Sequence, residues 1–182
     1  MTCRIICIIL LITMSYSAFA RSLTSEERGA LAGMVVRYEA AVLEKDYWAI
    51  GAAFPPRLLE RYVAARGFAD LEPDRWVGLY VQDTEAIDKN IGNKIETFTL
   101  GWDNAEFKET ADGTPYVILP SVTVGKSNVF GRTRVSAQYL ALLDEGKWYI
   151  TVVAFGGLLG SVEGVYPSFE GIEFDPATQE QL

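Results

Sequence analysis

The hydrophobic pattern of this chain changes its period near Lys94. Before this residue, apolar side chains recur at helical spacing, which is typical of helices that bury one face. After it, β-branched and aromatic residues form short runs separated by turn residues, which is typical of strands. Helices that come first, followed by strands without alternation, indicate the α+β class. We therefore expect N-terminal helices packed on one face of a curved antiparallel sheet.

Three helical segments and five strands follow from this pattern. The first helix covers residues 25–45, because Thr24 and Glu27 form a capping box in front of it. A second helix begins after the proline pair at 55–56, and a third begins near Pro73. The predicted strands are residues 95–102, 105–109, 116–124, 129–143 and 147–155. Turn residues between the later strands predict an antiparallel meander.

The longest predicted strand has two different faces. One face is apolar throughout and is expected to face the helices. The other begins with Arg132 and Arg134 and becomes apolar at Leu140 and Leu142. We expect this second face on the outside, partly covered by a partner, and residues 132–138 on it are a candidate homodimer surface. The two arginines together could bind a carboxylate or phosphate. Ion pairs with Glu or Asp on neighbouring strands are the simpler interpretation.

The first twenty residues have the order of a cleavable export signal. Arg4 precedes a short hydrophobic core, and Ala18-Phe19-Ala20 is a small-x-small cleavage site. The hydrophobic run is shorter than the roughly 20 apolar residues of a spanning helix, so we expect no membrane anchor after cleavage. The predicted organisation is a signal peptide at 1–20, a single α+β domain at 21–157 and an acidic C-terminal tail at 158–182. The protein is expected to be periplasmic or extracellular.

Cysteine usage and charge exclude several classes of function. Cys3 and Cys7 are the only cysteines, so the chain after the signal has none for disulfides, thiolate catalysis or metal binding. The formal charge is −8, and loss of Arg4 with the signal changes it to −9. An acidic surface argues against nucleic-acid binding and against general binding to membrane surfaces.

The predicted tail at 158–182 contains acidic residues but no Lys or Arg. A solvated, partly mobile terminus is the simplest interpretation. Its apolar residues, among them Val165, Tyr166 and Phe169, make docking on the domain or on another protein the alternative. The glycine-rich segment at 156–160 lacks the spacing of a phosphate-binding loop and is interpreted as a flexible exit from the last strand.

Three segments resemble the nuclear transport factor 2-like superfamily, which includes ketosteroid isomerase. They are the aromatic sequence DYWAI at 46–50 after the long first helix, the helix start PPRLL at 55–59, and the closing hairpin at 139–150. The resemblance covers residues 25–155. It implies a cone-shaped, cystatin-like fold, a pocket between the helices and the concave face of the sheet, and frequent dimerisation through the outer face. It does not imply a reaction, because the same fold serves enzymes, carriers and interaction modules.

The chain has no histidine, so any catalysis would depend on Asp, Glu, Tyr or Lys. The candidate pocket-lining residues are Tyr38, Trp76, Tyr80 and Tyr139. An isomerase-like enzyme would also need a carboxylate base, for which Asp46 and Asp83 are the candidates. Core packing explains each tyrosine equally well, and a cap or turn explains Asp46.

Two functions are therefore open. The first is a non-enzymatic exported domain that binds a small apolar ligand or an envelope protein. The alternative is a small-molecule isomerase or dehydratase in which an Asp and a Tyr act in the pocket. We expect no cofactor and no metal, because the acidic groups at 70–74 and 83–88 lack the glycine and distal glutamate of a calcium loop.

Overall fold

The structure is a computed structural model that describes residues 23–102, 105, 107–153 and 162–182. In these residues, four α-helices precede a six-stranded antiparallel sheet that is strongly curled into a half-barrel. The predicted α+β class, with the helices N-terminal to a curved sheet, is confirmed. The predicted export signal at 1–20 and the glycine-rich segment at 156–160 lie outside the described residues. Among the helices that are described, none is long and apolar enough to cross a membrane.

Local sequence signals position the helices. The four helices are α1 Ser25–Glu44, α2 Tyr47–Ala52, α3 Pro56–Ala65 and α4 Trp76–Ile91. The predicted capping box is present at the start of α1, where the Thr24 hydroxyl accepts from the Glu27 N–H and the Glu27 carboxylate accepts from the Thr24 N–H. A single 3₁₀ turn, Pro73–Arg75, leads into α4. The short helix α2 was predicted only as an aromatic segment.

The sheet is an antiparallel meander with two short additions. Its strands are β1 Lys94–Leu100, β2 Phe107–Glu109, β3 Pro115–Ser127, β4 Gly131–Asp144, β5 Lys147–Val152 and β6 Thr178–Gln181. The order is β1-β3-β4-β5, while β2 pairs with the beginning of β3 and β6 pairs with the first half of β4. The strand β6 was not predicted, because all four of its residues are polar or small and exposed.

The core lies between the helices and the sheet face that points toward them. Tyr38 of α1 contacts Phe98 of β1 and Tyr139 of β4, with ring centroids 6.2 and 5.8 Å away. Phe98 and Tyr139 also contact each other at 5.6 Å. Because Tyr139 points toward α1, the alternating face of β4 that includes it is the helix-facing one, as predicted.

The C-terminal segment packs against the domain, which corrects the expectation of a solvated tail. Phe169 is fully buried, and its ring lies 5.2 Å from the ring of Tyr116 on β3. The Tyr166 hydroxyl donates to the Asp144 carboxylate at 2.9 Å. Burial of these aromatic rings stabilises the docked segment. The glutamates of the segment are exposed, so docking does not bury their charges. Residues 162–182 are docked on the chain's own domain, which was the predicted alternative.

The outer sheet face is covered by this segment at one end. Leu140 and Leu142 have no exposed surface, and Tyr116, the cross-strand partner of Leu142, contacts Phe169. We expected a partner to cover the apolar end of this face, but the C-terminal segment of the same chain covers it.

Candidate ligand-binding site

A cavity of about 340 Å³ lies between α1, α2 and the turn that joins β4 and β5. Small residues form much of its wall: Ala30 on α1, Ala49 and Ala52 on α2, Ala53 directly after α2, and Gly146 in the turn. Ala30, Ala49 and Ala52 are exposed, so the cavity opens to the protein surface between the two helices and the turn. Their methyl groups leave room there for a ligand.

Larger apolar side chains close the inner end of the cavity. Met34 and Tyr38 reach it from α1, and Trp148 reaches it from β5. The Trp148 indole N–H donates to the Glu27 carbonyl at 2.9 Å, which fixes the ring against the first turn of α1. Trp148 is 4% exposed and Tyr38 is 5% exposed, so both present only a small part of their surface to the cavity.

Arg37 brings a positive charge to the edge of this apolar wall. It lies seven residues after Ala30, and therefore on the same side of α1. An added Cβ on Gly33 would lie 3.3 Å from Arg37 Nη1, so the guanidinium folds back along the helix over this glycine. Within the described residues, no carboxylate lies within ion-pair distance of Arg37. A guanidinium that no described carboxylate pairs is available to an anionic ligand.

Lys147 also borders the cavity, but its charge is directed elsewhere. Its Nζ lies 5.0 Å from the centroid of the Tyr149 ring, which makes a cation–π contact. Arg37 is therefore the cation that the cavity offers.

The tyrosine hydroxyls behind the cavity stay protonated at physiological pH. Burial raises the pKa of Tyr38 well above its usual value, and the neighbouring Tyr139 raises it further. Burial likewise raises the pKa of Tyr139 and of Tyr80. These phenols can donate hydrogen bonds but cannot serve as bases.

The structure separates the four predicted pocket residues. Tyr38 lines the cavity, whereas Trp76, Tyr80 and Tyr139 are not among its lining residues. Tyr139 packs behind Tyr38, and Tyr80 packs edge-on against Phe54 at 4.9 Å. The Trp76 indole N–H donates to a backbone carbonyl in the loop before α4.

The two candidate carboxylates also lie outside the cavity wall. Asp46 is exposed and caps α2, with its side chain accepting from the Ala49 N–H at 3.0 Å. Asp83 on α4 accepts a hydrogen bond from the Tyr62 hydroxyl and forms an ion pair with Arg66 at 2.9 Å. An acid–tyrosine pair therefore exists, but the guanidinium neutralises its carboxylate, and the pair joins α3 to α4 outside the cavity.

The arginines of the outer face pair with acids, as the simpler interpretation predicted. Arg132 contacts Glu96 at 2.8 Å, and Arg134 contacts Glu180 of β6 at 3.5 Å. In the described part of the chain, no three Asp, Glu, Cys or His side chains come close enough to hold a metal ion.

Arg37, Trp148 and the alanines of α2 were missed as site residues. The only sequence signal was the alanine spacing at 49, 52 and 53, which places small side chains on adjoining positions of a short helix. Comparison of the chain with models of protein families finds no match, and no curated protein and no solved structure matches it either. The site is therefore argued from its geometry.

Proposed function

We propose that this domain binds a small amphipathic ligand in the cavity, with the apolar part of the ligand against the alanines of α2 and an acidic group at Arg37. The observation that carries the proposal is an apolar cavity of about 340 Å³ bordered by the Arg37 guanidinium, which has no ion-pair partner among the described residues. Ligand sites are typically concave, mostly apolar and supplied with a few polar groups that orient the ligand.

The size of the cavity limits the ligand. Pockets for drug-sized molecules span about 300 to 1,000 Å³, and this one lies at the lower end. A short-chain or medium-chain organic acid fits this description, whereas a larger polycyclic molecule would need the cavity to open.

Binding without chemical conversion is the function that the side chains favour. Neither Asp46 nor Asp83 borders the cavity, and the pKa of Tyr38, the one phenol that does, is raised by burial. A general acid–base pair must lie within reach of the same ligand atoms. The isomerase or dehydratase alternative lacks such a pair in the cavity wall.

We further propose that the chain is an exported member of the nuclear transport factor 2-like superfamily. The order of helices before a curled sheet supports membership. The cavity lies against the β4–β5 turn and not on the concave face of the sheet, so it adds nothing to this support. The order of charges and small residues at 1–20 supports export. Export predicts that protein recovered from its native compartment has the intact mass of a chain beginning at Arg21, and retention of residues 1–20 would contradict it.

Ligand binding can be tested with octanoate and octanol, which share an alkyl chain and differ in charge. Trp148 lines the cavity, so its fluorescence should change on saturation with either compound. We expect Arg37→Gln to weaken octanoate binding roughly tenfold, because a charge-assisted hydrogen bond is lost, and to leave octanol binding unchanged.

Filling the cavity gives the second arm of the test. Ala52→Leu places a larger side chain in the wall and should weaken both compounds at least tenfold. Ala86→Leu is the matched control, because Ala86 is exposed on α4 and does not line the cavity. Equal binding by the two leucine variants, or no saturable binding by the unmodified protein, would reject the proposed function.

A further inference from the structure

The turn between β3 and β4 exposes large apolar side chains at one end of the sheet. Val129 is 63% exposed and Phe130 is 55% exposed. We call these two side chains the apolar tip.

The backbone of this turn is held by hydrogen bonds from within the protein. The Phe130 N–H donates to Ser127 Oγ at 2.9 Å, and the Phe130 carbonyl accepts from the Gln181 side-chain amide at 2.9 Å. The Asn128 N–H donates to the Ile91 carbonyl at 3.0 Å. The turn is therefore preformed, and these polar groups need no water when the tip enters an apolar environment.

Cations lie directly behind the apolar tip. Lys94, Lys126 and Arg132 are register partners across β1, β3 and β4, so they form one row across the sheet. Arg132 is paired with Glu96 at 2.8 Å. Within the described residues, neither lysine forms an ion pair with a carboxylate. The row therefore keeps an excess of positive charge in a protein whose formal charge is −8.

We propose that this end of the sheet docks on an anionic lipid bilayer, with the apolar tip in the interface and Lys94 and Lys126 facing the headgroups. Apolar side chains flanked by lysines bind anionic membrane surfaces through both effects. A protein partner is the less suitable occupant, because a stable interface needs about 800 Å² from each side and a single turn offers much less. The acidity of the remaining surface confines such docking to this end.

The proposed membrane site is independent of the ligand cavity. The two sites lie at the β3–β4 turn and at the β4–β5 turn, the opposite ends of the 14-residue strand β4. At the usual rise per residue, this separation is roughly 40 Å along the strand. Failure of either proposal leaves the other unaffected.

Vesicle flotation tests the proposal with the chain from residue 21 onward, which keeps every described residue and removes an apolar segment that would itself bind lipid. We expect flotation with vesicles that contain phosphatidylglycerol, much less with pure phosphatidylcholine, and loss of binding as salt increases. Absence of flotation at low salt would overturn the proposal.

Two sets of variants separate the contributions. Val129→Ser combined with Phe130→Ser should lower the vesicle partition coefficient at least tenfold, and Lys94→Gln should lower it about fivefold. Phe68→Ser is the matched control, because Phe68 is 49% exposed in the loop after α3, and it should leave binding unchanged. Equal binding by the tip variant and the Phe68 variant would overturn the proposal.

A second measurement reports on insertion directly. The chain after residue 20 has no cysteine, so Val129→Cys carries a single environment-sensitive label. Its emission should shift to the blue with anionic vesicles, whereas a label at Phe68→Cys should not respond. A shift that requires an added envelope protein instead of lipid would assign the tip to a protein partner and overturn the membrane proposal.

Discussion

Truncation of Phe169 to alanine tests whether the C-terminal segment is part of the folded domain. The ring has no exposed surface and packs against Tyr116 at 5.2 Å and Tyr166 at 6.3 Å. Loss of a fully buried phenylalanine costs about 3–5 kcal/mol when the cavity cannot collapse. Because a domain of this size has about 5–15 kcal/mol of stability, the variant should lose a large part of it.

The segment offers one route by which this cost could be smaller. If residues 162–182 detach as a unit, the free energy lost is limited to what docking of the segment contributes, and the rest of the domain stays folded. Urea unfolding followed by tryptophan fluorescence measures the global change, and limited proteolysis measures detachment. Phe68→Ala, which removes a ring that is 49% exposed, is the control. If Phe169→Ala matched this control in both measurements, the burial argument for the segment would be wrong.

Three further predictions concern titration and backbone conformation. A hydrogen bond from a threonine hydroxyl is the main cause of the lowered pKa of Asp112. The ionised carboxylate therefore stabilises the fold above the usual carboxyl pKa, and this stabilisation is lost as the pH falls through the lowered pKa. Asp112→Asn should make the unfolding free energy fall less steeply with decreasing pH. Burial raises the pKa of Tyr139. The protonated phenol therefore contributes to the unfolding free energy below the usual phenol pKa of about 10, and this contribution is lost as the pH rises above it. Tyr139→Phe should make the unfolding free energy fall less at alkaline pH. Gly92 ends α4 with φ at +62°, and an added Cβ would lie 2.2 Å from Asn128 Nδ2, so Gly92→Ala should lower the unfolding free energy more than Gly113→Ala, where φ is +84° and no atom lies within 4 Å.

The parts of the fold that local chemistry decides were predictable from the sequence. The capping box at Thr24 placed the start of α1, and Pro73 placed the start of the 3₁₀ turn that leads into α4, because each acts through residues within one helical turn. The alternation in β4 identified its helix-facing side through Tyr139.

The unpredicted parts depend on contacts between distant residues. Phe169 packs against Tyr116, which is more than fifty positions earlier in the sequence. The acidic residues near Phe169 instead predicted a solvated segment. The cavity arises from what α2 lacks, since Ala52 and Ala53 are ordinary helix residues in the sequence and leave a space only opposite α1 and the β4–β5 turn. Trp76 and Tyr80 were predicted as pocket residues because they are aromatic. Trp76 instead bonds to the loop before α4 and Tyr80 packs against Phe54, so neither lines that space.

The docked segment also changes what a homodimer through residues 132–138 would require. That dimer stays a prediction, yet the chain already uses part of the surface: Arg134 contacts Glu180, and the Gln138 side-chain amide donates to Asp175 at 2.7 Å. A second copy would either pack over the outer face of β4 and β6, which is the predicted dimer, or replace β6 at the edge of β4. Replacement exchanges four exposed strand residues for an equivalent strand, so it would cost little at that edge. It would leave Phe169 in place, because the buried ring and the exposed strand are separate attachments of the same segment. A dimer formed by replacement should therefore weaken when a disulfide holds β6 to β4 of the same chain, whereas a dimer that packs over the outer face should not.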